Sequence, residues 1–300
     1  MNAMKPFIVL LAVLAGAPAH AALKVFACEP EWGALAQELG GGEVEVHVAT
    51  TARQDPHHIQ ARPSLIAKMR QADLVICTGA ELEAGWLPVL LAESGNARVQ
   101  PGRPGYFEAA RHVGLLEKPV RLDRSEGDVH AAGNPHIQLD PRNIARVADA
   151  LAKTLAQLDA ANAAEYRRRG QSFQARWAQA MKTWEARAEP LRGVPVAVQH
   201  NAFPYLENWL GLKRVAVLES KPGVAPSVAH LSSVLDGLKT RPAKMVLRAA
   251  YQSERPGAWL AQRSGIAVAV LPFTVGGSTA ANDLYSLFDD TIERLLGAAK

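Results

Sequence analysis

Two trains of short apolar runs, each alternating with amphipathic stretches, flank a helical tract over 142–193, and this pattern restricts the fold of the 300-residue chain more than any other. In the first train 24–28 (KVFAC), 44–49 (VEVHVA) and 73–79 (DLVICTG) read as strands, while 31–40, 63–72 and 82–94 carry helical periodicity. A strand that passes through a helix to the next strand builds a parallel sheet covered on both faces, so this train predicts an α/β unit. After 193 the alternation resumes. Strands are expected over 194–199, 214–219, 244–249 and 266–272, with helices over 203–211, 227–239 and 257–265 and a last one from 283. The tract between the trains is rich in Ala, Leu, Gln, Glu and Arg, and Asp159 is placed to divide it as the N-cap of a second helix. Between about 96 and 134 the periodicity fades into Gly, Pro and charge, which predicts loops. The expected organisation is an N-terminal α/β lobe over 22–141, a helical region with an interlobe linking helix over 142–192, and a C-terminal α/β lobe over 193–300.

The chain opens with MNAMKPFIVLLAVLAGAPAHA, one Lys before an apolar run that closes on Ala19-His20-Ala21. That is the pattern of a secretory signal peptide over 1–21, cleaved after Ala21. The apolar run is shorter than the roughly 20 residues that a bilayer-spanning helix needs. A soluble, exported chain is therefore expected, and removing 21 of 300 residues leaves 279. That length exceeds the usual single core and agrees with two lobes. Of the formal net charge of +4, Lys5 supplies one and leaves +3, without a long basic block, which argues against a nucleic-acid surface. Cys28 and Cys77 are the two cysteines. In an oxidising compartment they pair if their strands are neighbours; otherwise they are two small buried thiols.

Three of the nine histidines stand in compact motifs far apart along the chain: His57 in DPHHIQARPS, His136 in NPHIQLDP and His200 in QHNAFPYLENWLGL. Pro56 and Pro135 precede the first two, and proline holds φ near −65°, which orients the next imidazole at little entropic cost. His200 directly follows an expected strand, and His57 follows another after a short turn. Ligands of open α/β sheets bind outside the carboxyl ends of the strands, so two lobes with facing strand ends bring these residues into one cleft. Distant imidazoles fixed in this way are what a folded metal site requires. His20 leaves with the leader, and His47, His112, His130 and His230 lack supporting chemistry around them.

In these motifs the chain resembles the periplasmic solute-binding proteins of zinc and manganese ABC transporters, known as cluster A-I or cluster 9. DPHHIQARPS is similar to the family's D-P-H-x-x-x-x-x-P-S segment, and GNPHIQLDPRN to its N-P-H-x-W-L-D-P-x-N segment. ADLVICTGAELEAGWLPVLL, DAANAAEY, HNAFPYLENWLGL and ESKPGVAPSVAHL match further segments in the family's order, so the resemblance covers nearly the whole chain after the leader. It implies His57, His136 and His200 as metal ligands, with the spacing to Pro-Ser favouring His57 over His58. Manganese-type members tend to carry a carboxylate where this chain has His200. Three neutral imidazoles suit zinc, whereas manganese prefers oxygen.

Two features depart from the family pattern. Relatives place an acid just after the last strand, but here Leu271-Pro272-Phe273 stands there, and the next carboxylate is Asp283, beyond TVGGSTAAN. Asp283 is taken as the fourth ligand, with a helix N-terminus as its other role and Glu219 or water as the other candidates for the fourth place. The long His-rich loop that many zinc-specific relatives carry before NPH is replaced by EKPVRLDRSEGDVHAAG, with a single His. A separate periplasmic zinc donor would compensate.

The expected function is a monomeric receptor that captures one Zn2+ as transported ligand and delivers it to an inner-membrane ABC permease driven by a cytoplasmic ATPase. A manganese receptor of the same class is the alternative, and a zinc hydrolase is a more distant one. No catalytic residue is assigned. The chain contains neither G-x-x-x-x-G-K-[ST] nor H-E-x-x-H, so neither nucleotide hydrolysis nor metalloprotease chemistry has its motif.

Overall fold

The computed structural model describes residues 21–119 and 127–300, so the expected leader over 1–21 lies outside the described residues except for Ala21. Two four-stranded sheets, each wholly parallel, form the two lobes. The first has the order β2-β1-β3-β4, from β1 (Leu23–Ala27), β2 (Val44–Val48), β3 (Leu74–Cys77) and β4 (Tyr106–Glu108). The second repeats that order as β6-β5-β7-β8, from β5 (Pro195–Val198), β6 (Lys213–Val217), β7 (Met245–Ala249) and β8 (Ala267–Leu271). β3 is buried along its whole length, as an inner strand covered on both faces must be. β4 falls inside the stretch expected to be loop. Its three residues are too few to show a period of two, and it exists through parallel pairing with β3.

The helices follow proline starts and glycine stops. α1 (Pro30–Gly40), α2 (Pro63–Gln71), α3 (Leu87–Ser94), α6 (Pro204–Leu210) and α8 (Arg255–Ser264) all carry Pro in their first turn, where its missing N–H costs nothing. α6 and α8 end at Gly211 and Gly265 with φ of 69° and 72°, a backbone that residues with a Cβ rarely adopt. α7 (Val228–Thr240) is capped by Ser227, whose side chain accepts from the His230 amide.

The long tract divides where expected, but not by the expected bond. α4 (Pro141–Leu158) ends at Asp159, a turn over Ala160–Asn162 follows, and α5 (Ala163–Ala188) runs for 26 residues, about 39 Å at 1.5 Å per residue. Asp159 caps no amide of the new helix. Its carboxylate instead accepts from the Tyr166 hydroxyl and the Asn162 amide, both at 2.8 Å. α9 (Leu284–Ala298) packs on α5 through Phe288 against Trp177 and Trp184, and one continuous core runs from Leu23 through α4 and α5 to Leu295. The lobes are thus fixed to a shared helical spine on one side and meet at their strand ends on the other.

Cys28 and Cys77 form a disulfide between the neighbouring strands β1 and β3, with Cα atoms 4.8 Å apart, which decides the pairing that composition left open.

Candidate metal centre

Each of the three motif histidines is held by a different local device. Asp55 Oδ1 accepts from the His57 amide at 3.0 Å and lies 2.8 Å from His57 Nδ1, so one carboxylate fixes both backbone and ring. Between them Pro56 offers its carbonyl to the Trp86 indole at 2.8 Å, anchoring the turn on the buried wall of the first lobe. His136 donates its amide to Asn134 Oδ1 at 3.0 Å, and Asn134 in turn donates to the Asn201 carbonyl at 2.8 Å. His200 lies two residues past β5, and its Nδ1 is 2.7 Å from Glu219 Oε2, just past β6. Glu219 itself is fixed by the Gly223 amide at 2.9 Å.

The three imidazoles converge. Ring centroids of His57, His136 and His200 are 5.3, 5.9 and 5.5 Å apart, and one ligand atom from each lies within 4.8 Å of the others. All are buried, with 6%, 1% and 5% of their surface exposed. With Nδ1 of His57 and His200 engaged by carboxylates, their Nε2 atoms are the ones free to bind. His57 Nε2 and His136 Nδ1 are buried without a hydrogen-bond partner. Each such orphan costs about 1–3 kcal/mol, which a metal bond would offset. Burial, with His57 and His200 next to it, holds His136 well below the usual histidine range, so it is neutral and ready to bind. Burial pushes Asp55 up, but its bond and proximity to His57 more than reverse this and leave it below the usual carboxylate range.

Asp283 does not join this group. It is exposed at the N-cap of α9, where its carboxylate accepts from the Ser286 amide at 2.7 Å and the Ser286 hydroxyl oxygen accepts in turn from the Asp283 amide. This reciprocal capping box satisfies helix N–H groups that have no intrahelical partner, and it holds the side chain at the helix end. Glu219 meets the cluster only through His200 Nδ1. His58, the neighbour of His57, is turned outward with a 64% exposed side chain. Where the family pattern carries an acid, Phe273 takes a left-handed backbone (φ 70°) and sets its ring edge-on to His136 at 5.5 Å.

Sequence reasoning passed over His130. Its ring is 5.4 Å from His57 and its Nδ1 is buried without a partner; burial, followed by the proximity of His57, lowers it to about 4. It lies on a segment tied to both lobes, through Asp128 to the Pro222 carbonyl at 3.0 Å and Ala131 to Glu81 at 2.7 Å. Nothing in a single loop histidine signals that placement; only the position of the segment beside a cavity of about 380 Å³ lined by His57, His58, Glu81 and Asp128 does. The other buried group of metal-binding residue types among the described residues is Cys28, Cys77 and Glu83, whose sulfurs are taken by the disulfide.

The chain is 23% identical to the high-affinity zinc uptake system protein ZnuA of Bacillus subtilis, over 86% of this chain and 80% of that one. It is 24% identical to the iron-binding protein YfeA of Yersinia pestis, over 77% and 70%. Its fold superposes on a crystal structure of ZnuA with a TM-score of 0.77 at 23% identity, covering 93% of this chain and all of that one. The family described as ZnuA, zinc-uptake complex component A, periplasmic, matches residues 25–298. The chain belongs to this family of metal-binding receptors of ABC transporters, a class of solute-binding proteins and not of enzymes.

Proposed function

We propose that this chain is an extracytoplasmic zinc receptor in which His57, His136 and His200 bind one Zn2+ between the lobes over 22–141 and 193–300. The observation that carries this reading is the convergence of three buried imidazoles, two of them backed by carboxylates on the far ring nitrogen. Such backing fixes the tautomer and raises ligand basicity, and its loss typically costs 10–100-fold in affinity. A donor set of three nitrogens, without a carboxylate among the gathered atoms, favours zinc over manganese. With Asp283 on a helix cap, Glu219 on His200 and His130 outside the three gathered ligand atoms, we take water as the fourth ligand.

A three-histidine zinc site with water is also a catalytic arrangement. Against that use, the two carboxylates in contact with the site imidazoles, Asp55 and Glu219, are both committed to Nδ1 atoms, so neither of these is free as a general base. The receptor acts as a monomer exported by the leader over 1–21, passes its ion to an inner-membrane permease served by a cytoplasmic ATPase, and takes it from a periplasmic donor.

Competition titration of zinc against manganese and iron, with His57→Ala, His136→Ala and His200→Ala alongside, tests the reading. One zinc per chain is expected, and a loss of about a hundredfold or more in each variant, roughly 3 kcal/mol. Preference for manganese or iron would reassign the cargo, and unchanged affinity in two of the three variants would remove the site.

A further inference from the structure

Beside the imidazoles, a polar network crosses from one lobe to the other. Glu117, on the segment after β4, has φ 53°, a strained backbone for a residue with a side chain. Its carboxylate accepts from Asn201 at 2.8 Å and from Asn134 at 3.3 Å, and pairs with the Arg214 guanidinium of β6. Arg214 also donates to Asn201 Oδ1 and lies 3.5 Å from Glu207 of its own lobe. The Tyr205 hydroxyl adds a second crossing, accepting from the Leu116 amide at 3.0 Å and donating to the Asn134 carbonyl at 2.6 Å. Asn201 directly follows His200, and Asn134 binds the His136 amide, so the network grips the backbone of one imidazole from each lobe.

We infer that Glu117, Arg214 and Asn201 form an interlobe latch that sets how fast the bound ion leaves. The inference rests on the metal site proposed above. Release requires His136 and His200 to part, and that motion breaks the Glu117–Arg214 pair and the Asn134–Asn201 bond together. Opening strands no charge, because Arg214 keeps Glu207 beside it and Glu117 is already at the surface. The latch therefore biases a two-state equilibrium toward the closed form without locking it. Arg214 and Glu117 are positioning residues; neither touches the ion.

Release of zinc to excess chelator, followed by stopped flow, tests this with the isosteric Glu117→Gln, with Arg214→Gln, which removes the charge and shortens the side chain, and with the double variant. Each single change is expected to speed release about tenfold, or ~1.4 kcal/mol, with association within about twofold of the unmodified protein. The double variant is expected to release more slowly than the product of the two single effects, because the residues share their mutual pair and Asn201. Independent, multiplying effects or unchanged release would overturn the latch. A readout without metal is exchange of the Leu116 amide, expected to quicken in Glu117→Gln; unchanged exchange overturns the latch as well. If His200→Ala binds zinc as the unmodified protein does, the metal-site reading fails alone, and the exchange measurement still decides the latch.

Discussion

At the scale of single residues, the chemistry of the cleft is set less by the imidazoles than by what stands behind and beside them. Glu219 holds the far nitrogen of His200 and is itself held by the Gly223 amide, so the ring presents Nε2 without rotating. Replacing Glu219 by Gln keeps the shape but removes the anionic partner, and zinc affinity is expected to fall by about 10–100-fold with the fold intact. A chelator-competition titration checks this, and affinity equal to the unmodified protein would remove the positioning role. Phe273 closes one side of His136 with its ring. Phe273→Asp would put a carboxylate there, and oxygen donors suit manganese better than imidazole does. The variant is expected to narrow the ratio of zinc to manganese affinity in a competition titration; an unchanged ratio would show that the new carboxylate does not reach the ion. The three histidines were legible in the sequence because Pro and aromatic neighbours mark them. Asp55 stands two residues from His57, so its bond to the His57 amide is a local feature of the DPHH motif. Glu219 as a support for His200 was not, since nineteen residues and a whole strand separate them and only the pairing of β5 with β6 brings them together.

At the scale of elements, regular strands and proline-started helices could be read from local pattern, while boundaries that depend on partners could not. β4 exists because β3 offers it an edge, and Asp283 belongs to α9 because Ser286, three residues on, completes a capping box with it. Proximity in sequence to the Gly-rich run suggested a ligand; reciprocal bonding at the helix start decides for a cap. Asp283→Ala is accordingly expected to cost about 1 kcal/mol of stability and to leave zinc affinity unchanged. Urea unfolding beside a zinc titration separates the two roles, and lost affinity at unchanged stability would restore the ligand. The Cys28–Cys77 bond ties β1 to β3 across a sequence separation of 49. A loop of that length restricts the unfolded chain by about 4 kcal/mol in the chain-entropy view. Reduction, or Cys28→Ser with Cys77→Ser, is expected to lower the unfolding midpoint markedly, and a midpoint within error of the oxidised protein would contradict the cross-link's role.

At the scale of the whole molecule, one continuous core runs through both lobes, so buried charges in it bear on the pH dependence of the whole. Glu31 sits in the first lobe and accepts from Thr274 of the second. Burial raises its carboxyl to about 7, against some lowering by the Thr274 bond. Because the folded form holds the proton more tightly than the unfolded one, its contribution is complete below about pH 4.5 and is lost as pH rises through 7. His136 acts with the opposite sign. Burial lowers it, so the stability linked to its neutral form is present above the unfolded value near 6.5 and is lost as pH falls. The two slopes oppose each other between pH 5 and 7, and the pH profile of the parent protein alone conceals both. The difference between parent and Glu31→Gln isolates the carboxyl. Denaturant unfolding in the presence of chelator is expected to show the variant gaining about 1–3 kcal/mol on the parent between pH 5 and pH 8. The gain follows from a side chain that keeps an oxygen for Thr274 yet never carries charge into the core; parallel profiles for the two proteins would mean that Glu31 stays ionised in the fold.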